Sequence, residues 1–117
     1  MELIFSVTRD TLVVEMFGDL DHYSAEAVRQ RIDDALDSHN TNNLIFDFSK
    51  VDFMDSSGIG MILGRYRQLC PARGRVAICG CSQHIRSLLN MAGLFSIIDY
   101  YDTQKVAVEY FGGKEVS

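Results

Sequence analysis

The sequence predicts an α/β domain in which a mixed β-sheet of about five strands packs against about four helices. Two observations lead to this prediction. Two alternating apolar segments near the N-terminus are joined by a short polar connection, which is typical of a β-hairpin. From residue 24 onward, strand-length apolar segments alternate with segments whose apolar residues recur at helical spacing. The predicted order is β-β-α-β-α-β-α-β-α, within a single domain that covers residues 1–117.

The N-terminal third contains the hairpin, the first helix and a buried strand. Residues 3–8 and 12–17 alternate between apolar and polar side chains, and residues 18–22 follow as a loop. Ser24 begins a helix whose apolar residues share one face: Ala25, Val28, Ile32, Ala35 and Leu36. A polar segment ends this helix, and the apolar residues 44–48 form the next strand.

The remainder alternates helices with short strands. After a connection at residues 50–55, a helix spans residues 58–70. Its apolar stripe is predicted to consist of Ile59, Ile62, Leu63, Tyr66 and Leu69. Met61 and Arg65 fall outside that stripe, so we expect both side chains to face solvent. Strands are predicted at 75–80 and 95–98, with helices from Ser82 to Gly93 and over 103–111.

Composition excludes several classes of function. The net charge of −5 and the pI of about 5.0 argue against a broad nucleic-acid surface. The sequence contains no run of about 18 apolar residues, and residues 1–5 lack the basic start and cleavage site of a signal peptide, so we expect neither a membrane-spanning helix nor a signal peptide. Three cysteines, an odd number, fit a reduced cytoplasm. Only one residue separates Cys79 from Cys81 and no second pair exists, so we predict small packed residues, with no metal and no cofactor.

The segment at residues 53–60 lies between a buried strand and an amphipathic helix. Asp55, Ser56 and Ser57 are all favourable N-cap residues, so this segment is at least a helix start. A serine there is accessible to a kinase, and the free N–H groups and the helix dipole tolerate a phosphate. Because phosphorylation adds about −1.5 to −2 charges at pH 7, it would change a docking surface strongly.

Two enzymatic interpretations compete with a phosphorylation switch. Gly58 and Gly60 after a strand suggest dinucleotide binding, but the third glycine stands at 64, and Leu63 occupies a position that needs a small residue. A serine hydrolase would require G-x-S-x-G, which is absent. A nucleotide-binding domain or a small hydrolase therefore remains the alternative from a different class of protein.

Three blocks of the sequence resemble one known family. Residues 53–66, the Gly-Asp-Leu-Asp-His loop at 18–22 and the segment at 86–98 are similar to the STAS-domain anti-sigma-factor antagonists. The combination is most similar to the sporulation branch of that family, which acts on anti-sigma-F factors. The three blocks together extend over most of the chain.

The resemblance implies a regulatory protein without catalysis of its own. Its unphosphorylated form would bind an anti-sigma factor that is also a serine kinase, which releases sigma-F. Phosphorylation on Ser56 would end binding, and a membrane serine phosphatase would reset the protein. The alternative within the family is an antagonist of a sigma-B-type anti-sigma factor. We predict a partner surface that consists of Asp21, His22, Asp55, Ser57, Gly58, Met61 and Arg65.

Overall fold

A five-stranded mixed sheet with the spatial order β1-β2-β3-β4-β5 forms the centre of the fold. The computed structural model describes residues 1–112, so residues 113–117 of the predicted single domain lie outside the described residues. The strands are β1 (Glu2–Thr8), β2 (Thr11–Leu20), β3 (Asn43–Met54), β4 (Val76–Cys79) and β5 (Asp99–Tyr101). The first two strands are antiparallel, and the other neighbouring pairs are parallel.

Helices cover both faces of the sheet, and the predicted element order is confirmed. They are α1 (Ala25–His39), α2 (Ser56–Leu69), α3 (Gln83–Met91) and α4 (Gln104–Ala107), which continues into a π-helical turn at Val108–Gly112. The first three helices pack on one face around the main core. The C-terminal helical segment packs Ala107 and Phe111 against Val13, Ile45 and Ala77 on the other face.

Strands β2 and β3 are longer than the sequence pattern indicated. The predicted loop at 18–22 is strand up to Leu20, and the predicted connection at 50–55 is strand up to Met54. These two segments pair with each other in parallel, with a register shift between Gly18 and Asp19, and the pairing ends at Leu20 opposite Met54. The sequence pattern did not predict this extension, because several of its side chains are polar. A strand that is held mainly by backbone hydrogen bonds to its neighbour leaves no apolar alternation in the sequence.

The last strand was misplaced by the sequence pattern. Residues 95–98 are not a strand, since Leu94–Ser96 form a 3₁₀ turn after Gly93, whose φ of 81° is left-handed. Strand β5 begins instead at Asp99, which pairs with Ala77 of β4. The apolar residues of the turn fill space beside α3, so burial without sheet pairing produced a false strand signal.

Candidate functional site

Five of the predicted site residues lie together where β2 and β3 end, namely Asp21, His22, Asp55, Ser57 and Gly58. Strands β2 and β3 run in parallel and end side by side, with Leu20 opposite Met54. The loop from β2 to α1 and the turn from β3 to α2 therefore emerge next to each other. Loops at the carboxyl ends of parallel strands are a common position for functional sites in α/β folds.

Asp55 links these two segments through both oxygens of its carboxylate. Its Oδ1 accepts a hydrogen bond from the Ser57 backbone N–H at 2.8 Å and caps the N-terminus of α2. Its Oδ2 accepts a hydrogen bond from the backbone N–H of His22 at 3.2 Å. The Asp55 N–H donates to the carbonyl oxygen of Leu20 at 3.3 Å. Asp55 thus fixes the position of the β2–α1 loop relative to the start of α2.

Ser56 is the first residue of α2 and is exposed to solvent. Its hydroxyl makes no hydrogen bond within residues 1–112, so a kinase would not have to break a contact to reach it. The first turn of α2 contains no acidic residue beyond the cap. The positive end of the helix dipole therefore favours an added phosphate there, by about 0.3–1 kcal/mol.

Gly58 supports this turn from below. The glycine is buried, and a Cβ atom at this position would lie 2.7 Å from Met54 Cγ and 3.0 Å from Leu20 Cγ. The first turn of α2 can approach the ends of β2 and β3 only because this atom is missing. The glycine is thus a packing residue beneath the exposed serine.

The β2–α1 loop is held by Asp21. Its Oδ1 accepts hydrogen bonds from the backbone N–H groups of Tyr23 (3.0 Å) and Ser24 (3.1 Å). Ser24 Oγ donates to the Asp19 carbonyl oxygen at 2.8 Å, which closes the loop further. His22 is exposed, and its ring meets the edge of Tyr23 with the ring centroids 5.6 Å apart. The loop therefore presents two aromatic rings on a fixed backbone.

The expectation that Met61 and Arg65 face solvent is wrong. Met61 is 5% exposed and Arg65 is 8% exposed. The inward face of α2 is rotated by about one residue from the predicted stripe, and its buried residues are Gly58, Met61, Ile62, Arg65 and Leu69. The close approach at Gly58 sets this rotation. Ile59, Leu63 and Tyr66 pack at the sides of the core, half buried.

Arg65 connects α2 to α1 through buried charge. Its Nε lies 3.1 Å from Asp33 Oδ1 and donates a hydrogen bond to Gln68 Oε1 at 3.2 Å. Asp33 also accepts a hydrogen bond from Arg29 at 3.0 Å through its other oxygen. Burial lowers the pKa of Arg65, and the Asp33 carboxylate opposes that effect. The pair links the helix that carries Ser56 to α1.

Sequence reasoning missed two residues near the site. Asp33 is the partner of Arg65 and lies four residues after Arg29. The sequence could therefore have predicted an ion pair with Arg29 within α1, but not the contact with α2. Tyr23 is 91% exposed beside His22. Its position directly after the polar loop motif at residues 18–22 could have predicted an exposed aromatic side chain.

The described residues contain no obvious metal site and no membrane span. No group of three or more His, Cys, Asp or Glu side chains within residues 1–112 could hold a metal ion. In the same part of the chain, every helix is too short or too polar to cross a bilayer. Burial raises the pKa of Cys79 and of Cys81 to about 12, so both thiols stay protonated at neutral pH, whereas Cys70 is exposed.

We expect the three thiols to differ in reactivity. At pH 7.5, iodoacetamide should alkylate Cys70 and leave Cys79 and Cys81 largely unmodified, because the thiolate is the nucleophile. Mapping the alkylated peptides by mass spectrometry measures the difference. In denaturant all three should react at similar rates, which serves as the control. Modification of Cys81 in the folded protein at the rate of Cys70 would contradict this expectation.

Comparison with known proteins shows the family. The STAS domain matches residues 3–107. The chain therefore belongs to the STAS domain family. Among its relatives, an anti-sigma F factor antagonist of Paenibacillus polymyxa is 36% identical over 96 residues, which cover 82% of each chain.

Two solved structures of SpoIIAA share the fold. The unphosphorylated form of this anti-sigma factor antagonist is 32% identical and matches with a TM-score of 0.77, over 96% of this chain and 99% of that chain. The phosphorylated form from Bacillus, described as a cell fate determinant, is 33% identical with a TM-score of 0.73, over 92% and 97%. The same fold thus accommodates both states in that protein.

Proposed function

We propose that this chain is an anti-sigma-factor antagonist that phosphorylation of Ser56 switches off. In the unphosphorylated state it binds an anti-sigma factor with serine kinase activity and so releases sigma-F. The exposed Ser56 hydroxyl at the start of α2, next to the loop that Asp55 fixes, is the observation that carries this proposal. The relative in Paenibacillus polymyxa and the SpoIIAA structures support it.

The contact surface is the edge at which the β2–α1 loop meets the start of α2. Asp21, His22, Asp55 and Ser57 contribute to it around Ser56. Three other predicted residues are buried and cannot contact a docking partner, so we assign them a structural role beneath this surface: Gly58, Met61 and Arg65.

The exposed face of α2 carries glycines that would allow a partner to approach the helix backbone closely. Gly60 and Gly64 lie one turn apart, and a Cβ atom at either position would meet nothing within 4 Å. Residues four apart share one face of a helix. The surface beside Ser56 is therefore smooth, and a phosphate there would be the largest projecting group.

The chain acts by binding, without catalysis of its own, in the cytoplasm where transcription takes place. The kinase-type anti-sigma factor uses ATP to phosphorylate the antagonist, which then dissociates, and a serine phosphatase restores it. A nucleotide-binding role is less well supported, because the space that Gly58 leaves is taken by Leu20 and Met54 and not by a ligand. A sigma-B-type partner is the alternative within the family.

Phosphorylation in a purified system tests the proposal. Incubation with the anti-sigma factor kinase of the same organism and ATP should place one phosphate on Ser56, as located by mass spectrometry. Ser57→Ala should still be phosphorylated, because its backbone N–H keeps the bond to Asp55, whereas Ser56→Ala should not. Phosphate on Ser57 with Ser56 unmodified would refute the assignment. Parallel pull-downs with sigma-F-type and sigma-B-type anti-sigma factors separate the two branches.

A further inference from the structure

A groove of about 700 Å³ lies beside the β2–α1 loop, and Ser56 is not among its lining residues. The start of β1, the end of β2, the loop itself and the first two turns of α1 form its walls. Phe17 and Ala27 contribute apolar surface, and Tyr23 lies at the side formed by the loop. Because Asp21 and Tyr23 belong both to the groove and to the loop that Asp55 holds, the groove continues the surface around Ser56.

Tyr23 has the properties of an anchor for a binding partner. It is 91% exposed, more than any other large hydrophobic side chain in the described part of the chain. Its backbone is fixed, since the N–H donates to Asp21 Oδ1 at 3.0 Å, and its ring contacts His22. A tyrosine has few rotatable bonds and a large contact area, so burial of this side chain would cost little conformational entropy.

The charges of the groove are mostly negative. Its acidic lining side chains are Glu2, Asp19 and Asp21, against the basic side chain of Arg31 and the α-amino group of the lining residue Met1. Glu2 and Asp19 are exposed and make no ion pair within residues 1–112. Arg31 already makes a cation–π contact, because its guanidinium lies over the ring of Phe5, 5.6 Å from the centroid. An occupant with Lys or Arg next to an apolar side chain matches this lining.

We infer that this groove is a second contact site for the anti-sigma factor and that it binds a basic, partly apolar segment of that protein. The inference rests on the proposed function and extends it to a surface outside the phosphorylation motif. A second copy of this chain fits less well, since its net charge is also −5 and like charges would face each other. In this arrangement the groove contributes affinity in both phosphorylation states, whereas Ser56 decides which state binds.

Titration calorimetry of the full chain with the purified anti-sigma factor kinase of the same organism and ADP tests this inference. Tyr23→Ala should weaken binding by about tenfold, the usual effect of an interfacial tyrosine anchor. Asp19→Asn should weaken it by about threefold at low salt and by less at high salt, because salt screens exposed charges. Tyr110→Ala and Glu109→Gln are matched controls beyond α4, on the opposite face of the sheet, and should bind like the native chain.

The outcomes separate this inference from the proposed function. Absence of binding by the native chain would refute the proposed function itself. Native binding that Ser56→Asp abolishes, while Tyr23→Ala and Asp19→Asn bind as tightly as the controls, would refute the groove alone. Sedimentation of the chain without partner completes the test. A native dimer that Tyr23→Ala converts to a monomer would assign the groove to a second copy and overturn the inference.

Discussion

Ser56→Asp is expected to fold like the native chain and to bind the anti-sigma factor at least about a hundredfold more weakly. A hundredfold loss corresponds to about 2.8 kcal/mol. Removing an unpaired charge from water at an interface can cost that much. In the free chain the same carboxylate stays exposed at the N-terminus of α2, where the dipole favours it.

Calorimetry and amide NMR spectra measure the two halves of this prediction. Ser56→Ala should bind like the native chain and resist release by ATP. Ser38→Asp, which adds the same charge to an exposed position near the C-terminus of α1, should leave binding unchanged. Chemical-shift changes in the phosphorylated protein should stay near residues 20–24 and 55–60. Changes that spread through the sheet and α4 would show refolding and contradict a surface switch.

Arg65→Ala is expected to lower the free energy of unfolding by about 2 kcal/mol, because Asp33 loses one of its two arginine partners while Arg29 remains bound to its other oxygen. The side chain of Arg65 is 9% exposed and that of Asp33 is 20% exposed, so some water relieves the loss. Met61→Ala should cost about 2–3 kcal/mol through the cavity it leaves in the core. Urea denaturation followed by circular dichroism measures both.

A double substitution tests the supporting role of Arg65, and Gly64→Ala serves as a stabilising control on the same helix. Arg65→Ala combined with Asp33→Ala should cost less than the sum of the single changes, since the pair is then removed as a unit. Gly64→Ala should stabilise the chain by about 0.5–1 kcal/mol, because alanine favours the helix and its Cβ meets open space. If Arg65→Ala leaves unfolding unchanged but weakens binding, Arg65 contacts the partner directly and its burial is not its role.

The local signals of this sequence were reliable where neighbouring residues decide the structure. The hairpin turn at Arg9 and the N-caps provided by Asp55 and Ser82 depend on residues close in sequence, and the structure has them. The three-residue strand β5 and the polar half of β3 depend on pairing with a distant strand. Their positions could not be predicted from a local apolar pattern.

The sequence by itself determined that this chain forms alternating strands and helices and that an exposed serine begins the second helix. Only the tertiary structure decided how that helix is rotated about its axis and that the β2–α1 loop lies beside the serine. Gly58 packs on Leu20 and Met54, and this contact turns Met61 and Arg65 inward. Helical periodicity locates an apolar face only to within about one residue, or about 100°, so the contact between distant segments makes the final choice.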